Sequence, residues 1–265
     1  MENKPRLDQF FTNHDVVDNC LSTIDVSMYD VVIEPSAGSG SFYNKIVHEN
    51  VKAIDLEPQF SETIEMDFLK YDEYTLSDSL MGVNILVIGN PPFGKNSSLA
   101  VKFFNHAATF ANTIAFVLPR TFRKPSVQNR LHDHFHLQKE IILPKNSFHT
   151  PDGGLYNVPC VWQIWEKRGE IREKIIKRIK HEDFMFVKRE DADFLIQRVG
   201  GGAGRVVRNF TNETPKIPAY YNIKGSTEVC SVFEKIDWDK SSKYDTAGNP
   251  SLSKGDIIEM YENSS

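Results

Sequence analysis

Asn90-Pro91-Pro92-Phe93 is the stretch of this chain best suited to chemistry on a planar amine. It directly follows the apolar run Ile85-Leu86-Val87-Ile88-Gly89, which reads as a buried strand stopped at its carboxyl end. Neither proline donates a backbone N–H and both fix φ, so the chain there is extended, rigid and rich in bare carbonyls. An exocyclic amine can donate to the Asn90 oxygen and a proline carbonyl while its ring stacks on Phe93. An isolated Pro-Pro-Phe is more often a simple strand-ending turn, so the weight falls on the residues around it.

The elements that must position this corner lie upstream. Val31-Val32-Ile33 reads as a short strand, Glu34-Pro35-Ser36-Ala37-Gly38-Ser39-Gly40-Ser41 as a glycine-rich turn, and residues 42–47 as a helix. Strand, glycine turn and helix together open a nucleotide-binding doubly wound sheet. The spacing is not that of a dinucleotide fingerprint, and the Lys-Ser/Thr ending of a phosphate loop is absent. Glu34 before the turn disfavours a phosphate and suits a cationic amine. Residues 51–55 read as a second strand ending in Asp55, the place from which a carboxylate accepts from both ribose hydroxyls. Asp67-Phe68, in a strand-to-helix loop, adds a third acid followed by an aromatic.

With these residues in view, the chain resembles a class I S-adenosylmethionine-dependent methyltransferase of the group similar to N6-adenine DNA methyltransferases. Glu34 to Gly40 is similar to that family's first cofactor motif, and Asp55 and Asp67-Phe68 match its ribose- and adenine-contacting positions. Asn90-Pro91-Pro92-Phe93 matches its catalytic tetrapeptide. Asp8-Gln9-Phe10-Phe11-Thr12 is similar to its amino-terminal motif, in which an aromatic and a threonine close over the methionine end of the cofactor. The order of these motifs suggests the gamma type, and the resemblance covers roughly residues 8–167.

The resemblance implies an α/β, Rossmann-like methyltransferase fold. Its mostly parallel seven-stranded sheet would end in an antiparallel hairpin, with a small β-rich carboxyl-terminal appendage beyond it. A catalytic domain is expected over 1–167, and residues 168–265, where the resemblance thins, read as an extension that could contact nucleic acid. S-adenosylmethionine would be held by Phe11, Thr12, Glu34, Pro35, Ser36, Gly38, Gly40, Asp55, Asp67, Phe68 and Asn90. Asn90, Pro91, Pro92 and Phe93 would be catalytic, with no metal. Phe148 matches the aromatic that sandwiches a flipped base, and Lys95, Arg120 and Arg205 join Phe93 as expected substrate contacts.

A sulfonium methyl needs only an aligned nucleophile, without metal or covalent intermediate. An aromatic amine is a poor nucleophile until hydrogen bonds from its N–H groups favour the pyramidal transition state. The favoured reading is adenine-N6 methyl transfer on nucleic acid, DNA over RNA. The alternatives are RNA guanine-N2 transfer, protein glutamine transfer, and an inactive nucleic-acid-binding subunit.

At 265 residues the chain can bury an ample core, as one large domain or one with an appendage. Three scattered cysteines indicate neither a disulfide framework nor a zinc site and suit a reducing, intracellular compartment. The first residues lack the apolar core of a signal peptide, and no apolar run approaches a membrane span. The net charge of −5 hides an asymmetry. Residues 1–118 carry 7 Lys/Arg against 16 Asp/Glu, residues 119–224 carry 20 against 12, and residues 225–265 carry 4 against 8. A basic middle third suits a polyanion-binding face or, nearly as well, solvated helix faces with internal ion pairs.

The remaining pattern predicts a core helix over 97–111 with Ser97 or Ser98 as N-cap, a strand over 113–118 and a helix from Pro125 to about His134. Strands over 137–143 and 158–165 follow, joined by a long loop. His132, His134 and His136 alternate too tightly for a helical metal pair and read as surface residues. Residues 166–180 read as a charged helix with Ile171, Ile175, Ile176 and Ile179 as its inner stripe. Four short strands are expected over 184–188, 193–199, 205–208 and 219–224, either extending the main sheet or forming a separate module. The Gly200 to Gly204 loop, edged by Arg198, Arg205 and Arg208, reads as a hairpin or a phosphate contact. A helix over 228–238 and a mobile polar tail complete the chain. The small appendage weighs against a stringent duplex sequence preference.

Overall fold

The computed structural model describes residues 10–72, 82–150, 152–213, 219–246 and 248–264. The described residues fall into two compact units, one up to Phe122 with Ser126–Lys174, the other Arg123–Pro125 with the residues from Ile175 onward. Among them no helix is long and apolar enough to cross a membrane.

The elements up to Lys167 are β1 (Phe11–Thr12), α1 (His14–Leu21), β2 (Val31–Glu34), β3 (Val51–Asp55), β4 (Thr63–Glu65), β5 (Ile85–Gly89), α2 (Ser98–Ala107), β6 (Thr113–Pro119), α3 (Pro125–Gln128), β7 (Phe135–Ile142), β8 (Phe148–His149), β9 (Leu155–Tyr156) and β10 (Cys160–Lys167). Seven strands form one sheet in the order β4-β3-β2-β5-β6-β10-β7. The first five in that order run parallel, and β10 is antiparallel to both neighbours. This is the expected mostly parallel sheet with a final antiparallel hairpin.

Continuous apolar runs build the central strands because both faces are covered. Ile33, Val87, Ile114 and Phe116 face a core shared with Phe103, Phe104 and Ala107 of α2. Val32, Leu86, Ile88 and Val117 face the opposite core, which α1 closes with Val16, Val17 and Cys20. The strand order reverses between β2 and β5. Open α/β sheets bind ligands at the carboxyl ends of strands flanking such a reversal.

Several expected helices are corrected. Residues 42–47 make only a 3-10 turn, Tyr43–Lys45, after which Ile46 is already extended. The helix after Pro125 stops at Gln128. Ser97 stands at the N-cap position of α2 but does not cap it; its φ is +59° and its hydroxyl bonds Thr121 instead. Residues 166–180 are not a helix. β10 runs on to Lys167, and the chain then continues irregularly, with Arg168 N donating to His134 O and Arg172 N to Asp133 O. The isoleucine stripe is exposed, Ile176 at 89%, so its helical spacing reports no buried face.

The second unit carries β11 (Phe184–Phe186), β12 (Phe194–Gln197), β13 (Val206–Val207), β14 (Tyr220–Gly225), α4 (Thr227–Lys235) and α5 (Lys254–Glu262). Its strands form a separate antiparallel sheet in the order β11-β14-β12-β13, packed with Phe233, Ile257 and Tyr261. The tail expected to be mobile carries secondary structure among its described residues. Ser253 and Asp256 form a reciprocal capping box that starts α5, and Ile257 and Ile258 are buried. Lys177 and Arg178 pair with Asp256, Glu259 and Glu262 along that helix. The glycine loop is a tight hairpin in which Gly204 N donates to Gln197 O, and a Cβ on Gly204 would lie 2.2 Å from the Trp238 ring. Its arginines diverge in role: Arg208 pairs with Glu234, Arg198 lies over Tyr221 and Arg205 is exposed.

Candidate active site

The carboxyl ends of β2, β3 and β5 open on a cleft of about 460 Å³, a volume suited to a nucleoside-sized ligand. One wall is the glycine turn. Ala37 N donates to Ile54 O and Gly40 N to Ala37 O, which folds the turn back over β3. Gly38 has φ +51°, and a Cβ there would sit 3.0 Å from the Phe11 ring. Asp55 braces this turn: one carboxylate oxygen accepts from Gly38 N and the other from Glu57 N, both at 2.8 Å. Each oxygen keeps a further lone pair for a hydroxyl. Asp67 accepts from Leu69 N and starts the turn Phe68–Lys70. Phe68 borders the cleft while packing against Phe103 and Phe110.

Glu34, 2% exposed, borders the same cleft. Its carboxylate accepts from Tyr43 N at 2.8 Å and forms no ion pair with any described Lys, Arg or His. Burial pushes its carboxyl well above the usual range; the Tyr43 and Phe42 amides oppose that rise and the charge of Asp55 adds to it. A buried acid without a cation either keeps its proton or takes a positive partner.

The other wall is the Asn-Pro-Pro-Phe corner. Gly89 precedes it with φ +146°, and a Cβ there would lie 3.2 Å from Glu34 Cγ, so the glycine lets the two strand ends abut. Ser36 Oγ donates to Asn90 O at 2.9 Å and ties the glycine turn to the corner. Asn90 Nδ2 donates to Phe10 O at 3.2 Å, which fixes the amide orientation. Asn90 Oδ1 is then the acceptor; it is buried and has no partner among the described residues. The Thr12 hydroxyl is in the same condition. Orphaned buried polar atoms are rare in folded proteins, and two border this cleft.

Phe93 O accepts from Leu99 N and Ala100 N and so caps α2. Gly94, Asn96 and Ser97 all have positive φ, a concentration of backbone strain next to the corner. A small sheet, β1-β8-β9, lays the amino-terminal strand beside the cleft. Asn13 anchors it through Ser147 O and Asn146 O. Phe148 does come to Phe93, but edge to face, with centroids 6.5 Å apart and planes at 85°, and it is 1% exposed.

Pro35, Ser36, Pro91 and Pro92 also border the cleft. Gly40 stands just behind it, where a Cβ would meet Asn44 Nδ2 at 2.8 Å. Lys95 is exposed beyond the corner. Arg120 directly follows β6, its N–H donating to Pro159 O and its Nε buried without a described partner. Neither basic residue lines the cleft, and Arg205 belongs to the second unit. Asp8 and Gln9 lie outside the described residues. Sequence reasoning did not single out Tyr156, which borders the cleft and stacks on Phe10 with centroids 3.9 Å apart and planes at 5°. A two-residue strand has no period to betray it.

No protein-family model matches this chain, and no curated protein matches it in sequence. Among solved structures it is similar to PH1948 from Pyrococcus horikoshii, a candidate RNA methyltransferase, at 15% identity and a TM-score of 0.46 over 62% of this chain and 90% of that one. It is also similar to the 23S rRNA methyltransferase ErmE, at 14% identity and a TM-score of 0.44 over 62% of this chain and 71% of that one.

Proposed function

We propose that this protein transfers a methyl group from S-adenosylmethionine to the exocyclic N6 amine of adenine in nucleic acid, DNA in preference to RNA. The observation that carries the reading is Asn90 Oδ1, a buried acceptor without a partner, oriented by Phe10 O and set beside two prolines.

The donor set fits the cofactor. Glu34 offers a buried carboxylate to an ammonium, Asp55 has lone pairs for ribose hydroxyls, and Asp67 and Phe68 border the place for an adenine ring. Phe11 and the orphaned Thr12 hydroxyl would hold the methionine end, together with Pro35, Ser36 and the turn that Gly38 and Gly40 shape. When bound, S-adenosylmethionine supplies a methyl on a sulfonium, open to in-line attack by a nitrogen lone pair.

The chain's own residues do the rest. Asn90 Oδ1 and the Pro91 carbonyl accept the two amine hydrogens, which draws the nitrogen towards a pyramidal shape and stabilises the positive charge that grows on it. Pro92 keeps the corner rigid and Phe93 holds the ring. Lys95 and Arg120 are the basic residues for flanking phosphates. A target within a duplex must be flipped out to reach this cleft.

Incubating the protein with methyl-tritiated cofactor and separate pools of DNA, RNA and protein, followed by nucleoside and amino-acid analysis, tests the reading. The expected product is N6-methyladenine in DNA. Label in RNA guanine or in glutamine replaces that acceptor, and cofactor binding without transfer to any pool points to a binding subunit.

A further inference from the structure

We infer that Phe10 is a stand-in for the acceptor ring: the chain fills a planar subsite on Tyr156 with its own side chain, and an aromatic amine enters by displacing it. The inference rests on the adenine reading for the identity of that ring.

Aromatic side chains usually meet offset or edge to face, with centroids about 4.5–7 Å apart. Phe93 and Phe148 obey this rule, at 6.5 Å and 85°. Phe10 and Tyr156 do not: they lie face to face at 3.9 Å and 5°, the geometry of a base on an aromatic platform. Both rings border the same cleft as Asn90 and Phe93. The backbone of Phe10 plays a separate part, because its carbonyl accepts from Asn90 Nδ2 and leaves Asn90 Oδ1 without a partner. One residue thus fills the ring site with its side chain and orients the amide with its backbone. Phe148 offers no alternative platform, since it is buried within β8 and edge-on to Phe93. Tyr156 and Phe10 are only half-buried.

Displacement requires little. Phe10 precedes β1, so its ring can leave by breaking its stack on Tyr156 and its packing against the neighbouring core, while β1 keeps its pairing to β8 and Asn13 keeps its bonds to Ser147 O and Asn146 O. Occupancy of the subsite by Phe10 lowers acceptor affinity by the fraction of time it is filled, without changing the intrinsic fit.

The test measures binding of a single-stranded oligonucleotide carrying 2-aminopurine at the target position, by its fluorescence, alongside calorimetric cofactor binding and methyl transfer to the adenine oligonucleotide. Phe10→Ala should bind the probe roughly three- to tenfold more tightly than the parent. Tyr156→Ala should lose probe binding, and Tyr156→Phe should restore it. Phe10→Ala binding the probe no better than the parent overturns the inference, even where the parent methylates adenine. Tighter probe binding by Phe10→Ala without any transfer sinks the adenine reading and leaves the stand-in intact. Failure of both proteins to bind the probe sinks both.

Discussion

The two walls of the cleft are built from opposite materials. The glycine turn after β2 is a flexible sequence folded by positive-φ residues, and it follows a buried acid that borders the cleft. The corner after β5 is stiffened by two prolines and presents a neutral amide whose oxygen has no partner. Glycines let backbone and ligand approach closely, whereas prolines keep carbonyls bare and fixed in direction. A buried carboxylate suits a ligand that brings its own positive charge. A neutral acceptor suits an amine that becomes charged only as it reacts. On the proposed reading the first wall is a holding site and the second serves the transition state.

That division is sharpest at Asn90. Asn90→Ala should reduce transfer by on the order of a hundredfold or more, while calorimetric cofactor affinity stays within about twofold of the parent. A proportional loss of both would merge the two walls into one binding site. A smaller effect is expected at Gly38, where any Cβ must move the Phe11 ring and the backbone is left-handed. Gly38→Ala should weaken cofactor binding about tenfold and leave turnover at saturating cofactor close to the parent's. Turnover falling with unchanged affinity would contradict the assignment of that turn.

The mildest break concerns pH. Folded Glu34 holds its proton above the ordinary value of 4.5, so between its unfolded and folded titrations the folded chain binds more protons. Its contribution to stability is thus greatest below that ordinary value and is lost as pH rises through the raised one. Glu34→Gln should melt progressively higher than the cofactor-free parent as pH increases. Over the same range the parent's cofactor affinity should climb as Glu34 ionises, by a few fold, and that of the variant should stay flat. Parallel melting curves for the two proteins would show that Glu34 titrates as it does in the unfolded chain.

The central strands were legible because each is a continuous apolar run, and the cleft-lining acids because they end those runs. Helices of the rim were not. A helical spacing of isoleucines over 171–179 predicts a buried stripe only where a core exists to receive it, and here those side chains face solvent. Ser253-Lys254-Gly255-Asp256 carried a capping-box signal that a polar tail composition masked. β8 and β9 are too short for any periodicity, so Tyr156 emerges only from the fold. Within the site, side-chain type pointed to Asn90 and Glu34, but only tertiary structure shows that Asn90 Oδ1 lacks a partner and that Glu34 is buried.

The division of labour is tested most directly by a crystal structure with the cofactor analogue in which an amino group replaces the transferable methyl. The predicted complex has its amino-acid ammonium on Glu34 and the substituted amine donating to Asn90 Oδ1 and the Pro91 carbonyl. A ligand seated elsewhere, or one whose substituted amine turns away from Asn90, would contradict it.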